Sequence, residues 1–121
     1  MKTIIPGEIP VRMMHKYLLG AVAPRPIALA STVSAAGIHN IAPFSFFNVF
    51  SANPPIAVFS PARSGRTGEL KDTLLNIREV PECVINIVNY DIVAQTSLAS
   101  SPYPPEIDEF EKAGFTPLDS E

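Results

Sequence analysis

The chain has 121 residues, of which 46% are hydrophobic and 17% charged, and its net charge at pH 7 is −3. These values predict a single soluble globular domain over residues 1–121 and exclude a disordered chain. The negative charge argues against nucleic-acid binding, and no apolar run approaches the roughly 18 residues that a membrane span requires.

The N-terminus and the cysteine content bear on the compartment. Residues 1–8 lack the apolar core and the small-residue cleavage site of a signal peptide. Cys83 is the only cysteine, which excludes an internal disulfide and suits a reducing compartment. We therefore expect a cytoplasmic protein. Because Cys83 lies in a strand-like run, we predict a packed, unreactive thiol, and because His15 and His39 stand alone, we expect no metal site.

Charge is distributed unevenly along the chain. Residues 1–78 hold eight of the nine Lys and Arg residues and three of the 12 acidic residues, whereas residues 79–121 hold Lys112 and the other nine acidic residues. An anionic ligand would therefore find its cations in the first two thirds of the chain. An acidic tail that only keeps the chain in solution gives the same pattern.

Four short segments carry helix signals, with Pro or Asp near the start or Gly or Pro after the end. Asp72 is expected to cap the second helix through its side chain, and Gly114 to end the fourth. The four segments are 11–19, 73–79, 91–99 and 108–113.

Runs of apolar, β-branched and aromatic residues predict four strands. Gly37 provides the turn of a hairpin between the first two. Pro43 has no N–H, so the second strand is expected to lie at a sheet edge or to carry a bulge there. Strands at hairpin spacing with short helices around them predict a mainly β fold, a small barrel with peripheral helices, rather than a doubly wound sheet. The four runs are 27–33, 38–51, 56–60 and 83–89.

Residues 40–60 form the stretch around which the chain is organised. Two apolar runs are joined by the corner Pro54-Pro55, and Ser45, Asn48 and Ser60 interrupt them. A concave apolar wall with a few polar groups suits a flat aromatic cofactor. A buried β core without a ligand gives the same pattern.

Hydroxyl and cationic side chains are concentrated directly before the second predicted helix. The free N–H groups and the positive dipole end of a helix N-terminus attract phosphate. Arg63 offers a planar fork and Lys71 a point charge. An exposed basic loop without a ligand is the alternative. The side chains concerned are Ser60, Arg63, Ser64, Arg66, Thr67, Lys71 and Thr73.

Common nucleotide and hydrolase motifs are absent. The sequence has no Gly-x-x-x-x-Gly-Lys-Ser/Thr loop, no Gly-x-Gly-x-x-Gly fingerprint and no Gly-x-Ser-x-Gly elbow. The acidic group Asp108, Glu109 and Glu111 is expected to cap or solvate a helix rather than to act in acid–base chemistry. An apolar wall beside a monophosphate site remains, and a mononucleotide with a large flat ring would satisfy both.

Several motifs, in this order, resemble the flavin reductase-like family, the flavoredoxin branch of the FMN-binding split barrels. The resemblance covers nearly the whole chain. The motifs are 23–29 (APRPIAL), 40–48 (NIAPFSFFN), 53–55 (NPP), 71–77 (KDTLLNI), 103–105 (YPP) and 108–114 (DEFEKAG).

The resemblance implies a homodimer that holds FMN near the subunit interface. Such a protein accepts hydride from NADH or NADPH and passes electrons to free flavin, a ferric complex or a partner protein. No catalytic acid or base is assigned, because the flavin carries the redox chemistry.

The resemblance also implies positions for the flavin. The isoalloxazine would lie along Pro43, Phe44, Ser45 and Phe46. Ser60 and Arg63 would follow the ring edge and the phosphate. The phosphate would be held by Lys71, Asp72 and Thr73, with Asp72 acting through capping, and Thr32 and Arg25 are further candidates.

The chain departs from the family in one respect. Family members usually carry further strands that close the barrel, whereas this sequence predicts four or five. We therefore expect an incomplete barrel with open strand edges, apparently truncated at the C-terminus. Two alternatives stay open: a flavin-binding electron carrier without its own NAD(P)H activity, and an inactive truncated fragment.

Overall fold

The computed structural model of the chain describes residues 3–61, 63 and 68–119. Within these ranges the chain forms five strands, four α-helices and one short 3-10 helix, Pro6–Glu8. The predicted mainly β class with peripheral helices is confirmed. The strands are β1 (Ala28–Val33), β2 (His39–Phe44), β3 (Phe47–Ala52), β4 (Pro55–Phe59) and β5 (Val84–Ile87). The helices are α1 (Val11–Ala21), α2 (Asp72–Glu79), α3 (Val93–Ala99) and α4 (Glu109–Ala113).

The strands form two antiparallel sheets. The first has the order β2-β1-β5, and the second consists of β3 and β4. The predicted hairpin joins β1 to β2, with Val33 opposite His39 and Gly37 in the turn at a φ of +80°. Pro43 pairs with Leu29, and β2 is an edge strand, as the missing N–H of Pro43 predicts.

The predicted single strand over 38–51 is wrong. The chain leaves the first sheet after Phe44 and enters the second at Phe47. Apolar composition continues through this point, so a sequence pattern does not register the change of partner strand. The connection is held to the end of β4, because the backbone N–H of Ser60 donates to the carbonyl of Phe46 at 2.9 Å.

The core lies on both faces of β1. Successive side chains of a strand point to opposite faces. Leu29 packs on one face in a cluster with Ile41 of β2, Ala99 of α3 and Ala113 of α4. On the other face Ala28 and Ala30 pack with Phe44 and, more peripherally, with Phe47 and Phe59 of the second sheet.

The outer strands are poorly covered within this chain. On β3, the side chains of Val49 and Phe50 are 65% and 69% exposed, and Ile56 and Val58 of β4 are exposed as well. The prediction of a packed thiol is also wrong: Cys83 is exposed, because it immediately precedes β5, which forms the other edge of the first sheet.

The described helices are all too short or too polar to cross a bilayer.

Candidate functional site

A cleft of about 580 Å³ opens between β2, the start of α2 and the loop after α3. It brings together Pro43 and three residues from the predicted phosphate group, Lys71, Asp72 and Thr73. The other residues that line it are Asn40, Ala42, Glu69, Leu70, Ala99, Ser100, Ser101, Pro102, Tyr103, Pro105 and Glu109.

Lys71 connects the polar and apolar sides of the site. Its Nζ lies 5.7 Å from the centroid of the Phe44 ring, at a distance typical of a cation–π contact. Phe44 is buried and packs against Phe59, with ring centroids 5.3 Å apart. The cation is therefore held beside the last residue of β2, next to the apolar wall.

The first turn of α2 has no side-chain cap among the described residues. Lys71, not Asp72, is the N-cap, because the N–H groups of Leu74 and Leu75 both donate to the Lys71 carbonyl. The prediction that Asp72 caps α2 is wrong, since Asp72 is the first residue within the helix. The N–H groups of Asp72 and Thr73 have no partner within the helix, and no bond from them to another described residue is seen, so they are open to a ligand.

Thr32 and Thr73 are buried within a polar network. The Thr73 hydroxyl donates to Asn40 Oδ1 at 2.9 Å, and the Thr32 hydroxyl donates to the same oxygen at 3.3 Å. Asn76 Nδ2 in turn donates to Thr32 Oγ1 at 3.1 Å. Both hydroxyls are thus engaged inside the protein, and the backbone N–H is the group through which Thr73 can meet an anion.

Glu109 is the site residue that the sequence analysis missed. It is 8% exposed, and one carboxyl oxygen, Oε2, accepts from Asn40 Nδ2 at 2.6 Å and from the Ile41 N–H at 3.0 Å. Burial raises the pKa of this carboxyl to about 7. The Asp72 carboxylate adds to the rise, whereas the two hydrogen bonds and the Lys71 cation oppose it.

The expected capping role of the acidic group is correct for one of its members. Asp108 Oδ1 accepts from the N–H groups of Phe110 and Glu111, so Asp108 caps α4. For Glu109 the expectation is wrong. The sequence spacing could have predicted the burial of Glu109, because Glu109 and Ala113 are four residues apart and therefore share one helix face, which is buried.

Ser45, Phe46 and Ser60 lie at the junction of the two sheets. Phe46 packs its ring edge against His15 of α1, with centroids 5.6 Å apart. Arg63 is exposed, and its Nη1 donates to the Gly68 carbonyl at 3.1 Å. The structure therefore brings Ser45, Phe46 and Ser60 to the end of β2, whereas Arg63 is placed only by its bond to Gly68, and none of the four lines the cleft. Ser64, Arg66 and Thr67 lie outside the described residues.

Arg25 has a structural role at the end of α1. Its Nη1 donates to the carbonyls of Leu19 and Val22 at 2.7 and 2.6 Å. A cation that satisfies the last carbonyls of a helix also interacts favourably with the helix dipole. This role engages Nη1 of Arg25, whereas Nε is buried and has no hydrogen-bond partner among the described residues. In the described part of the chain no group of three or more His, Cys, Asp or Glu residues is placed to hold a metal ion.

Comparison with known proteins identifies the family. The flavin reductase like domain matches residues 19–121. An uncharacterised protein of Aquifex aeolicus is 46% identical over 105 residues, which are 86% of this chain and 53% of that protein. The chain spans about half the length of the curated relatives it matches.

Solved structures agree with this match. Nitrilotriacetate monooxygenase component B from Bacillus cereus is 38% identical and superposes with a TM-score of 0.91 over 100% of this chain and 59% of its own. A Shewanella frigidimarina protein with a split barrel domain is 25% identical, with a TM-score of 0.77 over 95% of this chain and 55% of its own. The chain therefore belongs to the flavin reductase-like family and has its split-barrel fold.

Proposed function

We propose that this chain binds FMN at the cleft and passes electrons from NADH or NADPH to an acceptor, which is free flavin, a ferric complex or a partner protein. One observation carries the proposal: the Lys71 cation, the uncapped first turn of α2 and the apolar end of β2 meet at one place. Bound flavin supplies the redox chemistry, and the protein supplies position and electrostatics.

The residues around α2 fit a phosphate group. Lys71 offers a cation, and the N–H groups of Asp72 and Thr73 face the start of the helix without partners in it. Arg63, whose Nη1 donates to the Gly68 carbonyl, would add a second cation from the segment that leads into α2. Two cations and a positive dipole end can balance the two negative charges of a phosphate monoester.

The end of β2 fits a flat aromatic ring. Pro43 lines the cleft and has no N–H to be left without a partner. Phe44 is fixed by its contacts with Phe59 and Lys71, so its backbone is a rigid edge. Ser45, Phe46 and Ser60, just beyond this edge, would provide hydroxyl and backbone groups for the ring heteroatoms.

The proposal includes a homodimer. The apolar side chains of β3 and β4 are exposed over both strands, and a contiguous exposed apolar surface usually marks an interface. The ribbon of β3 and β4 begins directly after Ser45 and Phe46, so a second copy covering it would lie near the proposed ring site.

A second candidate function is flavin binding without NAD(P)H oxidation. The exposure of β3 and β4 favours this function, because in the described part of a single chain no element covers these strands beside the ring site and could hold a nicotinamide there. The two functions share the phosphate site and differ only in the reductant.

The first experiment is gel filtration of the purified chain with excess FMN, followed by a visible absorption spectrum of the protein peak. We expect a flavin spectrum on a peak of dimer mass, and bleaching of the flavin band when NADH or NADPH is added without oxygen. Bound flavin that neither nucleotide reduces would favour the electron carrier. A colourless peak would overturn the proposal and leave an inactive fragment.

A further inference from the structure

Four elements meet at one buried side chain, that of Asn40. Its Oδ1 accepts from the hydroxyls of Thr32 in β1 and Thr73 in α2, and its Nδ2 donates to Glu109 in α4. Asn40 itself belongs to β2, five residues before Ser45. The side chain therefore ties the strand of the proposed ring site to the helix of the proposed phosphate site.

Glu109 determines which way the Asn40 amide is oriented. Glu109 Oε2 already accepts from the Ile41 N–H, so it acts as an acceptor and must face the NH₂ group of the amide, and Oδ1 must then face the two threonines. The two threonine hydroxyls therefore donate to Oδ1. The direction of each hydrogen bond at Asn40 follows from this one carboxyl oxygen.

Glu109 also replaces a missing strand neighbour. Because β2 is an edge strand, the N–H groups on its outer side have no ladder partner. The Ile41 N–H is satisfied by Glu109 Oε2 at 3.0 Å, on the same oxygen that accepts from Asn40. Pro43, two residues further along, has no N–H to satisfy. One carboxyl oxygen of Glu109 thus fixes the outer edge of β2 at Ile41, directly before the residues of the proposed ring site.

A purely structural role would not require a carboxylate at this place. Burying an ionisable group is unfavourable, and an apolar side chain of similar size often packs at least as well. What the carboxyl group adds is a fixed orientation of the Asn40 amide, whose Oδ1 then joins β2 to Thr73 of α2. Those two elements, β2 and α2, carry the two halves of the proposed flavin site.

We propose that Glu109 is a positioning residue for flavin binding. Through Asn40 and the Ile41 N–H it holds the first turn of α2 and the end of β2 at the separation that allows one ligand to reach both. The inference rests on the proposed FMN site. It predicts that Glu109 affects chiefly the additional affinity that the phosphate group gives to a flavin, and affects the affinity for the ring alone much less.

The test compares the affinities of FMN and riboflavin, which share the ring and differ in the phosphate. Glu109→Gln keeps an amide oxygen that can accept both hydrogen bonds, and Glu109→Ala removes them. Glu111→Ala is the matched control, because Glu111 is an exposed carboxylate on the same helix. Each affinity is measured by titrating flavin fluorescence, and the folded state of each variant is checked by thermal unfolding.

We expect Glu109→Ala to lower the ratio of FMN affinity to riboflavin affinity about tenfold, which is the effect of losing roughly one buried hydrogen bond. Glu109→Gln and Glu111→Ala should keep the wild-type ratio within about twofold, a difference too small to count as a lost hydrogen bond. An unchanged ratio in a folded Glu109→Ala protein, or equal weakening of both flavins, would overturn the inference while leaving the FMN site in place. A wild-type protein that binds neither flavin would overturn both.

Thr73 provides a second test if Glu109→Ala does not fold. Thr73→Val has nearly the same shape but lacks the hydroxyl that donates to Asn40, and Thr73→Ser keeps it. We expect the valine variant alone to lower the affinity ratio. Equal ratios in the valine, serine and wild-type proteins would contradict a positioning role for this network.

Discussion

Glu109 carries a carboxyl group that folding removes from water. Its neighbours act on it in opposite directions: Asp72 disfavours the ionised form, and Lys71, Asn40 and the Ile41 N–H favour it. Burial outweighs the favourable contacts, so the pKa is about 7 in the folded chain against 4.5 for the free side chain. The residue therefore links the stability of this part of the fold to pH.

Stability is expected to fall as the pH rises through neutrality. Between pH 4.5 and 7 the folded chain keeps a proton that the unfolded chain has lost, so protonation favours the folded state. This contribution is fully present below pH 4.5, declines above it, and is lost as the pH passes 7. Relative to Glu109→Gln, the wild-type free energy of unfolding should drop by up to about 3 kcal/mol from acid to mildly alkaline pH.

Urea denaturation at several pH values checks this prediction. The other ionisable groups near the site, Lys71 and Asp72 of α2 and the pair formed by His39 and Asp108, are present in both proteins and cancel in the comparison. Parallel pH profiles for the wild type and Glu109→Gln would mean that the carboxyl titrates as it does in water.

The two cations are expected to act on the phosphate and not on the ring. Replacing both Lys71 and Arg63 by Ala should weaken FMN binding at least about tenfold, since each loses a charge-assisted contact. Riboflavin binding should change much less. Lys112→Ala, an exposed cation on α4, is the control. Unchanged FMN affinity in the double variant would refute the phosphate assignment.

At the level of secondary-structure elements, the two helices nearest the cleft begin differently. Asp108 caps α4 with its side chain, whereas no described side chain caps α2. The cation of Lys71 stands at the N-cap of α2, where an acidic or hydroxyl side chain is usual. This start is poor for an isolated helix but suits one whose first N–H groups are reserved for an anion.

Asp72→Pro tests the role of these N–H groups. Proline is favoured at the first helical position, and Lys71 already has the extended backbone that a following proline requires, with φ −79° and ψ 148°. We therefore expect the variant to fold and to bind FMN several-fold more weakly than Asp72→Ala, which loses the same carboxylate but keeps the N–H. Calorimetric titration with FMN measures the difference. Equal affinities would show that the Asp72 N–H does not meet the phosphate.

At the level of the whole molecule, the exposed ribbon of β3 and β4 is expected to form the dimer contact. Val49 and Phe50 leave much of their apolar surface in water in the single chain. Val49→Lys and Val58→Lys should therefore reduce the mass measured by light scattering from that of a dimer toward that of a monomer. Val11→Lys is the control, because Val11 is an exposed apolar residue that belongs to α1 and not to the ribbon. A wild-type monomer, or dimers in all variants, would exclude this interface.

Local features of the fold were predictable because they depend on neighbours in the chain. Pro10 and Gly114 mark helix ends through their own backbone preferences, and Gly37 supplies the turn of the hairpin. The motifs that resemble the flavin reductase-like family identified that family correctly. The concentration of cations and hydroxyls before α2 predicts an anion site there, and this stays a prediction.

The sequence alone determined the mainly β class with short helices, the edge position of Pro43 and the family, because each follows from local backbone preference or from a run of motifs. Only the tertiary structure decided that 38–51 divides between two sheets, that Cys83 is exposed and that Glu109 is buried against Asn40. The physical reason is the same in each case. Burial and hydrogen-bond partners depend on which elements pack together, and residues 69 positions apart, such as Asn40 and Glu109, meet only after the sheet and helices have assembled.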